Sequence, residues 1–431
     1  MKNQLLGSNR MSKQSDTPPI YQVDEIDFPV PKTMTLKNGM EVFIVEGGSQ
    51  DVCKIDFMFE AGRPCEHKRL TAATVAGIIK EGTLKSSASA IAEAVDHCGA
   101  SISSPFSFDH IHLQLVCLSK HIQKLLPLLV EIVREPLFDE AELALFKKRT
   151  IQRLAVDLSH NDVVCYREAT AQYFGTEHPY GYNSDESAYL AVTREDLLFH
   201  HQRFFGPQNG KVFIAGRFSA DILPTLDKLL ADWQPKTEIV IPSLAILPSL
   251  AHNFAGDMGK PLSAIRIGRP LFNRNNPDWP AMFLLNTILG GYFGSRLMKN
   301  LREKRGLTYG VHSSVESLKY HGYLSISLET EKKNVKKALK QIYREIDILQ
   351  QETVSEAELQ MVKNYTGGYL LSMMDGPLQI LEVLKNNLSE DSPVNFTAQL
   401  LQRLAKISGP EIRNTAQRYL QIDDLYEVVI H

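Results

Sequence analysis

Several things are scarce in this sequence, and each scarcity excludes something. Cysteine is limited to five residues, Cys53, Cys65, Cys98, Cys117 and Cys165. They are odd in number, confined to the first half and without a C-x-x-C pair, which speaks against a disulfide framework or a zinc ribbon. Buried, reduced thiols are the expectation. Long apolar runs are missing too. The densest, Leu125 to Val133, is interrupted by Pro127 and Glu131, and a membrane-spanning helix needs about 20 apolar residues. Mean hydropathy is −0.18. Charge of one sign is not in excess: 47 Lys+Arg against 50 Asp+Glu leave −3, so no basic field points to nucleic acid or a membrane surface. The polar first residues lack the apolar core of a secretory signal. A disordered leader over 1–24 and a cytoplasmic location are expected.

What is present is a repeat. Glu140-Ala141-Glu142-Leu143 recurs as Glu356-Ala357-Glu358-Leu359, 216 residues on. Gln202-Arg203-Phe204 returns as Gln417-Arg418-Tyr419, and Val212-Phe213-Ile214 as Val428-Val429-Ile430, at nearly the same offset. Three ordered matches at half the length of a 431-residue chain predict two similar units rather than the two or three unrelated domains that length alone allows.

Local patterns repeat as well. Ile122, Leu125, Leu126, Leu129, Val130 and Val133 form an amphipathic helical stripe, and Val335, Ala338, Leu339, Ile342, Tyr343, Ile346 and Leu349 form its counterpart. Each follows a strand-like run, His110 to Cys117 and Tyr323 to Leu328, the first with apolar residues at alternate positions as in a half-buried antiparallel strand. Each unit closes with a helix begun at a good N-cap, Thr193 or Ser408, and a last strand. The fold class expected is α+β: two homologous domains, each a largely antiparallel sheet with helices packed on it. The boundaries expected are 25–233 and 257–431, joined by a proline-containing linker over 234–256.

Few residues advertise chemistry. Gly290-Gly291-Tyr292-Phe293-Gly294-Ser295 has no following Lys-Ser/Thr, so it is not a phosphate cradle, and Ser295 is not in a nucleophile elbow. His110 and His112 share one strand face, which reads as two solvent-facing histidines without a third metal ligand. His200 and His201 are adjacent on a helix and cannot serve one ligand together. The run from Ser295 through Arg305-Gly306 reads as a helix with a basic last turn and a glycine stop. It is followed by Leu307-Thr308-Tyr309-Gly310-Val311, so Arg302 and Tyr309 fall at one helix–strand corner.

From about residue 25 onward the chain resembles the pitrilysin/insulinase family of zinc metallopeptidases. The run Leu289 to Val311 (LGGYFGSRLMKNLREKRGLTYGV) is similar to the signature of that family's second domain, and the repeated E-A-E-L element and the duplication agree with it. The resemblance implies an H-x-x-E-H helix in the first domain, with a carboxylate further on as third zinc ligand. The equivalent helix here is Leu70 to Thr83, and Ala73, Ala76 and Gly77 stand where His, Glu and His would be. The later carboxylate falls near Gln152-Arg153, and no H-x-x-E-H occurs among the 13 histidines. Methyl and hydrogen side chains neither bind zinc nor move a proton. The family's Arg/Tyr pair, by contrast, is matched by Arg302 and Tyr309, seven residues apart.

The resemblance therefore implies a zinc-less subunit forming half of a clamshell. No cofactor is expected in this chain, and zinc is expected in a homologous partner subunit carrying H-x-x-E-H. An unstructured peptide would be the substrate, and pairing of the isolated chain with itself is left open. Two other readings are kept beside it: a non-catalytic scaffold of the same family, and an independent hydrolase with ligands relocated to His110 and His112.

Overall fold

The structure, a computed structural model, describes residues 28–234, 241, 244–249 and 251–431. The expected leader and part of the expected linker lie outside these residues. Two sheets organise what is described. The first comprises β1 (Lys32–Thr35), β2 (Glu41–Glu46), β3 (Val52–Phe59), β4 (Ser101–Ser103), β5 (Ile111–Leu118) and β6 (Gly210–Gly216), in the order β1-β2-β6-β3-β5-β4. The second comprises β7 (Asn253–Gly256), β8 (Leu262–Leu271), β9 (Val311–Ser317), β10 (Gly322–Glu331) and β11 (Tyr426–Ile430), in the order β7-β11-β8-β10-β9. Without β1 the two orders are the same. Each sheet has one parallel pair, β2 with β6 and β7 with β11, and antiparallel pairs elsewhere. Asn253–Gly256, assigned by the sequence to the linker, is thus a strand of the second sheet.

The amphipathic stripes do what their spacing dictates. Helix Ile122–Arg134 buries Leu125, Leu126, Leu129, Val130 and Val133 in the first core, and helix Val335–Gln351 buries Ala338, Ile342, Ile346 and Leu349 in the second. Both closing helices are capped as expected. The Thr193 hydroxyl accepts from the Asp196 amide in a capping box, and Ser408 accepts from the Glu411 amide. A cap of this kind contributes about 1 kcal/mol. All five cysteines are buried free thiols. No helix among the described residues is long and apolar enough to cross a membrane.

The second face of each sheet is covered from the opposite half. Helix Asn161–Phe174, encoded in the first half, lays Cys165, Ala169 and Tyr173 on Ala264, Tyr426, Val428 and Ile430 of the second sheet. Helix Pro377–Ser389, 216 residues later in its first residue, lays Leu381 and Leu384 on Phe43, Val45, Met58, Phe213 and Ala215 of the first sheet. The exchange is reciprocal. At the crossing, a Cβ on Gly268 would stand 1.9 Å from Leu324 O of β10 and 2.6 Å from Tyr173 Oη, so strand and helix together admit no side chain there.

The exchange also overturns the expectation for His110 and His112. Both are buried, at 5% and 8% exposure, because the incoming helix covers the strand face that a lone domain would leave wet. His112 Nδ1 lies 3.1 Å from an oxygen of the fully buried Asp56, whose other oxygen accepts from Gln114 at 2.7 Å and from Lys385 at 2.7 Å. Burial pushes Asp56 up, but His112 and Lys385 more than offset it and hold the carboxyl at about 2. Burial, with His112 and Lys319 nearby, holds His110 well below its ordinary value.

Candidate functional site

The first candidate corner is helix Thr71–Ile78. Its entry is unusual: Leu70, a buried residue, adopts φ 68°, the left-handed region that non-glycine residues rarely occupy. The Glu66 carboxylate holds this turn. It accepts from the Leu70 amide at 3.2 Å, from the Ala72 amide at 2.8 Å and from the Tyr182 hydroxyl at 2.5 Å. A carboxylate at a helix N-terminus satisfies orphan amides and the dipole together. Burial pushes Glu66 up to about 6, and the bonds from Tyr182 and Ala72 only partly oppose it.

A carboxyl raised in the folded state is protonated more readily there than in the unfolded chain, near pH 4.3. Its contribution is full at acid pH and is lost as the pH rises through 6, by up to about 2 kcal/mol. Glu66→Gln is expected to remove that loss. Urea midpoints at pH 3.5 and pH 7.5 check this, since the variant should gain on the parent by about 2 kcal/mol between the two.

On this helix Ala73 and Gly77 lie on the partly exposed side, and Ala76 is buried at 4%. None carries a metal-binding atom. The space beside them is filled as well: a Cβ on Gly77 would stand 2.1 Å from the Phe146 ring, which projects from helix Glu140–Asp157. Gln152 and Arg153, on the same helix, are exposed, and Arg153 reaches Asp157 at 3.9 Å. The side chain of this helix that stands against Gly77 is therefore Phe146, not Gln152 or Arg153. Among the described residues no three His, Cys, Asp or Glu side chains group so as to hold a metal ion. These residues do not fit zinc.

Placing H-x-x-E-H on this helix, with Ala73→His, Ala76→Glu and Gly77→His, is expected to yield a chain without stoichiometric zinc. It should also be less stable by about 1–3 kcal/mol, because the histidine overpacks Phe146. Metal analysis after dialysis, beside a urea titration, checks both parts. Adding Phe146→Ala is expected to recover the stability.

The second corner is different. After helix Trp279–Asn286, the chain winds into two stretches with i→i+5 hydrogen bonding, Thr287–Gly291 and Met298–Lys304, separated by the loop 292–295 and the helical residues Arg296 and Leu297. Such π turns are rare and recur at functional sites. Gly306, at φ 58°, ends the second in the left-handed region that the sequence reserved for it. The turn that follows is pinned from both sides. The Leu307 amide bonds Leu301 O at 2.9 Å, and Thr330 Oγ1 bonds Leu307 O at 2.5 Å. Thr308 Oγ1 reaches Gly310 O at 2.7 Å and Glu329 O at 2.6 Å.

A rigid turn thus carries an outward phenol: Tyr309 is 90% exposed. The Arg302 guanidinium lies 5.2 Å from the Tyr309 ring centroid and 4.7 Å from that of Phe293, itself 64% exposed. A cation between two aromatic faces is attracted to both. The structure therefore brings together the two residues that the spacing placed at one corner, and adds Phe293, which the sequence reading had passed over. Its signal was its place in the glycine-flanked loop. A cleft of about 650 Å³ opens beside Tyr309, lined by Leu262, Thr308, Thr330, Lys333 and Asn334 among others.

Comparison with known proteins follows the same division. Residues 46–176 match the family profile described as Insulinase (Peptidase family M16), and residues 191–366 match the one described as Peptidase M16 inactive domain. An uncharacterized zinc protease of Rickettsia felis is 22% identical over 89% of this chain and 93% of its own. The uncharacterized zinc protease YmxG of Bacillus subtilis is 22% identical over 68% and 72%. A non-peptidase homolog from Helicobacter pylori is 29% identical over 33% of each chain. Among solved structures, the peptidase M16 inactive domain from Pseudomonas fluorescens superposes with a TM-score of 0.85 at 22% identity, covering 93% of this chain and 97% of that one. A protease from Helicobacter pylori superposes at 0.84 and 17% identity, covering 94% and 99%. These two likenesses establish the fold.

Proposed function

The chain belongs to the insulinase family of peptidases, M16, and from that premise we propose that it is the zinc-less subunit of a two-chain peptidase. In this reading a homologous partner carrying H-x-x-E-H binds the zinc ion, and the two subunits close as a clamshell on an unstructured peptide. Its two domains are the units 25–233 and 253–431, the second opening on the strand Asn253–Gly256. The phenol of Tyr309 donates a hydrogen bond to the oxyanion that forms when water adds to the scissile carbonyl, and Arg302 holds the ring in place or binds the substrate backbone. A donor aimed at developing charge stabilises the transition state more than the ground state.

One contrast carries the reading. The corner that would have to bind metal is closed by Phe146 and has no ligand atoms, while the corner that would touch the substrate presents a phenol to solvent from a turn held by the Leu307 amide and by the hydroxyls of Thr308 and Thr330. An exposed tyrosine on a rigid turn is poorly explained as packing.

The experiment mixes the purified chain with an H-x-x-E-H homologue and follows cleavage of an unstructured peptide. Cleavage by the mixture and by neither chain alone supports the reading. A scaffold subunit would associate without changing turnover, and Tyr309→Phe would then be silent.

A further inference from the structure

Helix Glu356–Ser372 has an outward face that does not suit water. Leu359, Val362, Thr366 and Leu370 are buried beneath it, yet Met361, Tyr365 and Tyr369, at successive four-residue steps, are 42%, 45% and 50% exposed. From Ala357 to Ser372 no charged residue is exposed on this helix. A helix that is apolar on both sides normally lies between two partners.

The scaffold does not require this. At the repeat-related positions of helix Glu140–Asp157, 216 residues earlier, the chain has Leu145, Arg149 and Arg153. The same fold position that accepts two arginines in one half holds two tyrosines in the other. The tyrosines also join the Arg302/Tyr309 corner without a break. Tyr365 packs on Tyr292, ring centroids 4.8 Å apart, and Phe293 follows Tyr292 directly and lies under Arg302.

We propose that Met361, Tyr365 and Tyr369 form a track that binds an extended peptide segment rich in aromatic or long aliphatic side chains, leading it to Tyr309. The inference rests on the reading that this corner receives a peptide, and it adds a substrate class to it. The size of the face decides between occupants. Fully covered aromatic side chains bury roughly 150–250 Å² each, so three half-exposed side chains offer well under the roughly 800 Å² per partner of a stable protein interface. From Met361 to Tyr369 the helix advances about 12 Å, the length of about four extended residues. Tyrosine rings give rigid, sequence-tolerant contact area at low entropic cost.

The test uses the isolated full-length chain and two fluorescein-labelled unstructured peptides of equal length and charge, one with Leu and Phe at alternate positions and one with Ser in their place. Fluorescence anisotropy is expected to show the apolar peptide binding at least tenfold more tightly than the serine peptide. Tyr365→Ser/Tyr369→Ser is expected to abolish that preference while the chain stays folded, with the thermal midpoint lowered by only a few degrees for the lost stacking on Tyr292. If the double variant folds poorly, Tyr369→Arg, which copies the residue of the first half, is expected to lower the affinity several-fold. Equal affinity for the two peptides, or an unchanged preference in the variants, overturns the proposal. So does sedimentation showing a dimer of the parent chain that the tyrosine variants dissolve. No zinc-bearing partner takes part, so failure here leaves the turnover test of Tyr309 standing, and failure of that test leaves this binding measurement intact.

Discussion

Tyr309→Phe is expected to lower the turnover of the mixed two-chain complex by about 10²–10³-fold, the loss seen when one oxyanion donor is removed. The substitution deletes a single oxygen from a side chain that is 90% exposed, so neither folding nor assembly should change. The ring stays, and with it the stacking on Arg302. The loss should fall on kcat with little change in KM, because the donor acts on charge that develops only in the transition state. In free energy it amounts to about 2.7–4 kcal/mol. Steady-state kinetics on one peptide, with sedimentation to verify the complex, reads the effect. A turnover within twofold of the parent assigns the chain to scaffolding. Arg302→Met should raise KM as well as lower kcat if the guanidinium binds the substrate backbone.

Lys385→Met is expected to destabilise the folded chain by about 3–5 kcal/mol, the cost of leaving a buried charge without its partner. Lys385 is 7% exposed at its side chain, and its Nζ is shared between Asp56 and Glu382 at 2.7 Å each. Without it, Asp56 keeps only His112 and Gln114 in a site closed to water. Against a typical total of about 5–15 kcal/mol, that is a large fraction. Asp56→Asn in the same chain should return much of the loss, because the uncompensated charge is then gone. Urea midpoints of the parent, single and double variants decide this. Equal stability of the single variant and the parent would show that water reaches the cluster. Since Lys385 lies on the helix that crosses to the other half, the single variant should also become open to proteolysis around Met373–Gly376, where that helix begins.

How much of this was legible beforehand differs by element. The duplication and the two amphipathic helices were readable because a face buried against a single core leaves a period in the sequence. The Arg302/Tyr309 corner was readable because a glycine stop fixes where a helix ends. The burial of His110 and His112 was not: β5 alternates as a strand wet on one side, and only the docking of Pro377–Ser389 from more than 250 residues away closes that side. Phe146 standing on Gly77 was equally hidden. An aromatic residue on an amphipathic helix looks the same whether it fills a core or stands over a glycine of the neighbouring helix. The π turns around the Tyr292 loop left no sequence signal that periodicity recognises.

The traded helices have a consequence for what counts as a unit of folding here. Severing the polypeptide between Trp233 and Asn253 would give two fragments, each holding a lid that fits only the other and a bare sheet surface of its own. Neither should hold its fold alone in water. Half-length pieces of such a protein are expected to be stable only as an interlocked couple, so the duplication visible in the sequence would record two bodies that need each other rather than two beads on a string.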